Sequence, residues 1–175
     1  MELLGKVLVA RPNLVDPMFA KSVVFIHEHS SRGTAGLILN KRLATNTKDI
    51  CSSKGFEGNF PKEPVFSGGP VNTRGIVMFH SADWRASNTM RVNNQCAISS
   101  DDMMLFKYTQ GDTPRFYRFF AGMSIWHPQQ IKQEIKRNSW LVTSINIDVI
   151  FDNDHRHLWD IAVESAAQEM MDKFI

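Results

Sequence analysis

Cysteine is scarce in this chain. Two occur in 175 residues, Cys51 and Cys96, far apart and in neither a CxxC nor a zinc-knuckle spacing. That excludes a disulfide framework and a thiolate metal cluster, and two reduced thiols suit a cytoplasmic protein. Long apolar runs are missing as well. No stretch approaches the ~20 apolar residues of a spanning helix. The apolar start, MELLGKVLVARPNL, is broken by Arg11, Pro12 and Asn13 with no cleavage site behind it. The expectation is a cytoplasmic location and no membrane partner. Charge of one sign forms no block: 20 Lys and Arg stand interspersed with 18 Asp and Glu, a formal +2. Such a balance does not select nucleic acid. There is also no HExxH, no GxGxxG and no P-loop GK[ST]. Catalytic residues and cofactors are therefore both expected to be none.

What is present is ordinary globular material, 43% hydrophobic and 22% charged. A chain of this length buries about 68–70% of its unfolded surface and needs no staple. One domain over 1–175 is expected, with a flexible excursion at about 41–63 and a C-terminal helix at about 157–174. The organising stretch is Ser22–Lys41. Two apolar runs, Val23–His29 and Ala35–Leu39, flank Ser30-Ser31-Arg32-Gly33-Thr34, the pattern of a hairpin with a glycine-containing loop. Strict alternation would put Val23, Phe25, His27 and His29 on one face.

Around that hairpin the pattern predicts strands at Lys6–Ala10, Ile76–His80, Arg115–Met123, Trp140–Ser144 and Ile147–Phe151. It also predicts a hairpin of Thr89–Val92 with Gln95–Ile98. Thr47–Ser53 reads as a short helix capped by Thr47. A second helix opens at Ser99-Ser100-Asp101-Asp102 with a serine cap, and Gly111 closes it. A third starts at His127-Pro128. Leu158–Phe174 is amphipathic and should lie across the sheet. Short turns join many strands, and helices do not alternate with them. The class is α+β, mainly antiparallel, with about eight short strands and three or four helices.

The ordered set Asp16-Pro17-x-Phe19-x-x-Ser22-Val23-Val24, Glu28-His29, Gly36-Leu37-Ile38-Leu39-Asn40, Ser67-Gly68-Gly69-Pro70-Val71, His80, Gly122, Trp126, Gln130, Glu134 and Asn138-x-Trp140 resembles the YqgE/AlgH family of bacterial proteins. The resemblance implies a bifurcated, pseudo-barrel sheet. It implies no shared catalytic residues. Some members are labelled transcriptional regulators, with no DNA-binding motif to explain the label. The chain departs from the family pattern at Ile125 and Gln129, where Gly is usual, at His27 and at Arg42.

Each candidate chemistry has a plain structural alternative. His27, His29 and His80 lie at strand ends and could supply three of the four ligands of a metal, or be ordinary half-buried histidines. Ser67-Gly68-Gly69-Pro70 could offer N–H groups to an anion, or be a turn where two backbones pass closely. Gly122-Met123-Ser124-Ile125-Trp126 has Trp where a nucleophile elbow needs Gly. Exposed Gln129, Lys132, Gln133, Lys136 and Arg137 could face a DNA groove, but no partner helix precedes them. The leading expectation is a non-enzymatic binding or regulatory protein with a protein or small-molecule partner, and nucleic acid a weaker one. Its ligand-binding candidates are His29, Asn40, Ser67, Gly68, Gly69, His80 and Trp126. The alternative is an enzyme-like metal or ligand module using the histidines near the Gly-Gly-Pro turn.

Overall fold

The computed structural model describes residues 2–175. Its strands are β1 (Val7–Ala10), β2 (Val23–Ser30), β3 (Gly33–Ile38), β4 (Arg42–Asn46), β5 (Pro64–Ser67), β6 (Val71–Ser81), β7 (Met90–Arg91), β8 (Cys96–Ser99), β9 (Tyr117–Trp126) and β10 (Trp140–Thr143). Its α-helices are α1 (Thr47–Ser53), α2 (Asp102–Thr109), α3 (Pro128–Lys136), α4 (Ile147–Asp152) and α5 (Leu158–Asp172), with a 3-10 turn at His155–His157 before α5. The main path of the sheet is β10-β1-β2-β3-β9-β6-β8-β7. All pairings are antiparallel except β5 with β9. This is the expected mixed α+β class, a curled half-barrel.

Period-two patterning builds both sides of the sheet. Val7, Val9, Val23, Phe25, Leu37, Phe79 and Phe120 join one cluster with Ile150 of α4 and Leu158 and Ala162 of α5. The alternate residues Leu8, Ala10, Val24, Ile26 and Ile38 join another with Ile131 of α3. Val65, Met78 and Phe119 meet α1 and α2 through Cys51, Met104, Leu105 and Tyr108. Both faces are covered, which is why β1 and β3 read as apolar on both sides.

The sheet divides at β9. One edge of β9 pairs with β6. The other edge serves two strands in turn: β5 at Phe119–Ala121 and β3 at Ser124–Trp126. Gly122 stands at the fork with φ +82°. The loop glycine Gly68 closes the gap. Its N–H donates to the Ala121 carbonyl at 3.0 Å, and its own carbonyl accepts from the Ile38 N–H at 3.0 Å and the Ser124 hydroxyl at 3.1 Å. A Cβ on Gly68 would collide with the Gly122 carbonyl oxygen, so the fork closes only if glycine occupies it.

Several local expectations need correction. Ile147–Phe151 is helix α4, not a strand. Its β-branched residues suggested β structure, but Ile147, Ile150 and Phe151 follow helical spacing toward the core while Asp148 and Asp152 are exposed. The cap of α1 is Asn46, whose side chain accepts from the Asp49 N–H. Thr47 is buried, and its hydroxyl accepts from the Glu63 N–H at 2.9 Å. The cap of α2 is Asp101 rather than a serine, accepting from the Met104 N–H at 2.7 Å. Stretch 41–63 carries the unforeseen strand β4 beside the expected helix α1, and buries Cys51 and Phe60. Strand β4 escaped notice because its pairing with β5 is irregular and its pattern mostly polar.

Candidate functional site

The residues singled out from sequence are spread over the fold. The register of β2 shifts between Ile26 and Glu28, so His27 is a bulged residue and the simple alternation with His29 fails. Burial holds the His27 imidazole near a pKa of about 4, and its Nε2 is enclosed without a hydrogen-bond partner. The His29 Nδ1 lies 2.8 Å from the Thr34 hydroxyl. His80 is buried with both ring nitrogens occupied, Nδ1 at 2.8 Å from the Ser81 carbonyl and Nε2 at 2.8 Å from the Ser99 hydroxyl. Pairing sets His29 level with Trp126 through Thr34, and His80 level with Tyr117. Those positions are at opposite ends of β9, roughly 30 Å apart along the strand at about 3.3 Å per residue. The histidines do not converge, and no group of three or more metal-ligating side chains forms among the described residues.

The remaining candidates hold the local fold together. Asn40 accepts from the Val23 N–H at 3.0 Å and donates to the Lys21 carbonyl at 2.9 Å. Ser67 donates its N–H to the Lys41 carbonyl. Gly68 and Gly69 are packed against Gly122 and Met123 at the fork. Ser124 is buried with its hydroxyl given to Gly68. Trp126 is buried, and its indole N–H donates to Glu134 at 3.0 Å. Helix α3 does expose Gln129, Lys132, Gln133, Lys136 and Arg137, but it sits between two strands with no helix beside it in sequence.

Apart from the enclosed His27 and Arg11 nitrogens, polar groups with capacity to spare lie at the other end of β9. Arg118 shares a face of the strand with Phe120, and Phe116 stands two residues before it, so a charge sits inside an aromatic run. Its guanidinium carbon is 4.6 Å from the Phe66 ring centre and 5.8 Å from that of Phe151. Nη1 donates to the Leu39 carbonyl at 2.9 Å and Nη2 to the Ile150 carbonyl at 3.4 Å. A guanidinium has five N–H donors, so most of its capacity remains. Burial lowers the Arg118 pKa to about 10, partly offset by Asp154, and the group stays cationic at neutral pH. No carboxylate forms an ion pair with it among the described residues.

Arg118 borders a cavity of about 280 Å³, walled by Phe66, Phe119, Phe151 and Tyr117, with Glu63, Asn153, Asp154 and His155 at its margins. Phe151 is fixed as one wall by rings at 5.4 Å (Phe79) and 5.7 Å (Phe116). The His155 ring meets Phe66 edge-on at 5.2 Å, and burial lowers its pKa. Asp154 is held well below the usual carboxylate range by hydrogen bonds from Arg156. Tyr117 is pushed up to about 12 by burial and by Glu63. A cation stacked between rings, with donors to spare and no acid on it, suits the oxygens of an anion. Sequence reading missed Arg118; its signal was an arginine at the centre of RFYRFF.

A model of the AlgH-like family, DUF179, matches residues 7–171. The chain belongs to that family. A UPF0301 protein of Mannheimia succiniciproducens is 30% identical over 98% of this chain and 92% of its own length. One from Jannaschia sp. is 32% identical over 94% and 88%. The AlgH protein from Pseudomonas aeruginosa superposes with a TM-score of 0.81 at 24% identity, covering 93% of this chain and 88% of that one. A Corynebacterium diphtheriae protein gives 0.68 at 27% identity, over 85% and 78%.

The AlgH-like motif residues have a visible structural role. Phe19 packs on Trp126 and Trp140 at 5.9 and 5.7 Å between ring centres. Both indoles donate to one oxygen of Glu134, at 3.0 and 2.8 Å, and Gln130 donates to the other at 3.3 Å. The knot ties α3 to β9 and β10. No helix among the described residues is long and apolar enough to cross a membrane.

Proposed function

We propose that this protein is a non-catalytic binding protein for a small molecule carrying a carboxylate or phosphate oxyanion. Arg118 holds the oxyanion, and the rings of Phe66 and Phe151 shelter the rest. The observation that carries the reading is the guanidinium itself: stacked between two rings, bonded to two carbonyls and paired with no acid. Removing a cation from water without an anion is costly, and an oxyanion filling the cavity would offset that cost. The residues lining the cavity form no nucleophile–base pair, so the reading assigns binding and no reaction. A regulatory role would follow from ligand occupancy.

The test is thermal unfolding with sodium acetate, sodium succinate and inorganic phosphate at constant ionic strength. A ligand bound only by the folded state adds about 2.7 kcal/mol at a hundredfold excess over Kd. Saturable stabilisation of the wild type, lost in Arg118→Met, supports the reading. Equal shifts in both proteins, or none in either, would overturn it.

A further inference from the structure

Arg118 does not face the cavity alone. Glu63 precedes β5, whose Val65 pairs with Phe119 in parallel register. That register sets Glu63 beside Tyr117, and the Tyr117 hydroxyl lies 3.4 Å from Glu63 Oε1. The Glu63 backbone is clamped on both sides: its N–H donates to the Thr47 hydroxyl and its carbonyl accepts from the Thr47 N–H, each at 2.9 Å. Glu63 also has no ion-pair partner among the described residues. The cavity touches the consecutive residues Tyr117, Arg118 and Phe119. Successive strand side chains point to opposite faces, so the space wraps the edge of β9 where β5 begins. It thereby reaches one unpaired cation and one unpaired carboxylate that do not reach each other.

From this we infer that the cavity takes a zwitterion whose two charges are held apart, a short ω-amino acid with its carboxylate on Arg118 and its ammonium on Glu63. The inference rests on the oxyanion reading above and narrows it. A simple anion would meet Arg118 but be opposed by Glu63 and Asp154. A simple amine would meet Glu63 but be opposed by Arg118. Only a molecule bearing both charges satisfies both ends, and a site that repels each half alone gains selectivity from the repulsion. The methylene part lies against Phe66 and Phe151, and a volume of about 280 Å³ suits a molecule of amino-acid size.

Calorimetric titration separates the outcomes. The probes are glycine, β-alanine and γ-aminobutyrate, each matched with the carboxylate of equal carbon number: acetate, propionate and butyrate. In the wild type at least one amino acid should bind about tenfold or more tighter than its matched carboxylate, the gain of one well-placed charged contact. Glu63→Gln should remove that preference while keeping or improving carboxylate binding, which also shows the variant's site intact. Arg118→Lys should weaken both series. Carboxylates binding as well as amino acids in the wild type, or a preference that survives Glu63→Gln, would overturn the zwitterion and leave the oxyanion reading standing. No binding by either series would overturn both.

Discussion

The two ends of β9 make opposite use of their polar groups. At the fork, Gly68 bonds to Ala121, Ile38 and Ser124, and further along Trp126 is tied to Glu134. Backbone approaches so closely there that side chains are excluded. At the other end Arg118 bonds to two carbonyls and borders open space with Glu63. A glycine-rich turn resembles a cradle in sequence, yet this one is sealed by its own bonds. An aromatic strand resembles core, yet it contains the group with capacity to spare. A binding site is better sought where polar groups are left over than where glycines cluster.

Substitutions can break that contrast. The largest effect is expected at the fork. Gly122→Ala combines φ +82° with a Cβ driven into the Gly69 carbonyl oxygen, and should cost about 3 kcal/mol or more. Gly111→Ala, with φ +82° but nothing within 4 Å, should cost only about 1 kcal/mol. Urea unfolding of the two variants measures the difference; equal losses would mean that backbone strain alone, not close approach, governs the fork. Next is Glu134→Ala, which leaves two buried indole N–H groups without an acceptor. It should cost about 2–4 kcal/mol, read from the same unfolding curves.

His27 sharpens the contrast through pH. Its folded pKa of about 4 lies below the ordinary imidazole value of 6.5, so the unfolded chain binds the proton more readily. Stability is unaffected above about pH 7, falls as pH drops through 6.5 toward 4, and levels off below that. Between pH 7 and 4.5 the wild type should lose on the order of 2 kcal/mol more than His27→Leu. Identical losses would show that His27 charges freely in the folded protein. The smallest effect is expected at the cavity. Arg118→Met gives up two hydrogen bonds but also a buried cation, and stability should change by about 1 kcal/mol or less in either direction. A loss as large as that at Gly122 would make Arg118 a structural strut.

Much of the fold was legible in sequence because it rests on period-two patterning and local turn chemistry. The β2–β3 hairpin, the β7–β8 hairpin, α3 and α5 all announce themselves that way. The failures share a physical cause. The α4 helix is short and β-branched, so propensity and period disagree over too few residues to decide. The bulge at His27 is set by pairing with β3, which no local pattern of β2 reveals. The cavity was illegible for the same reason. Arg118, Phe66 and Phe151 come from three separate elements, Glu63 comes from the loop before β5, and α4, read as a strand, supplies one wall. The fork was half legible: close backbone passage at Gly68-Gly69 was foreseen as one reading, but its partner Gly122 is a tertiary neighbour.

The contrast between the two ends of β9 is tested most directly by side-chain NMR of Arg118. γ-Aminobutyrate and acetate would be titrated into labelled protein while the Arg118 Nε–H resonance and the Gly68 and Gly122 amides are followed together. The expected result is a saturable shift at Arg118 with the fork amides unmoved. Saturable shifts centred on Gly68 and Gly122 with Arg118 unaffected would contradict the account.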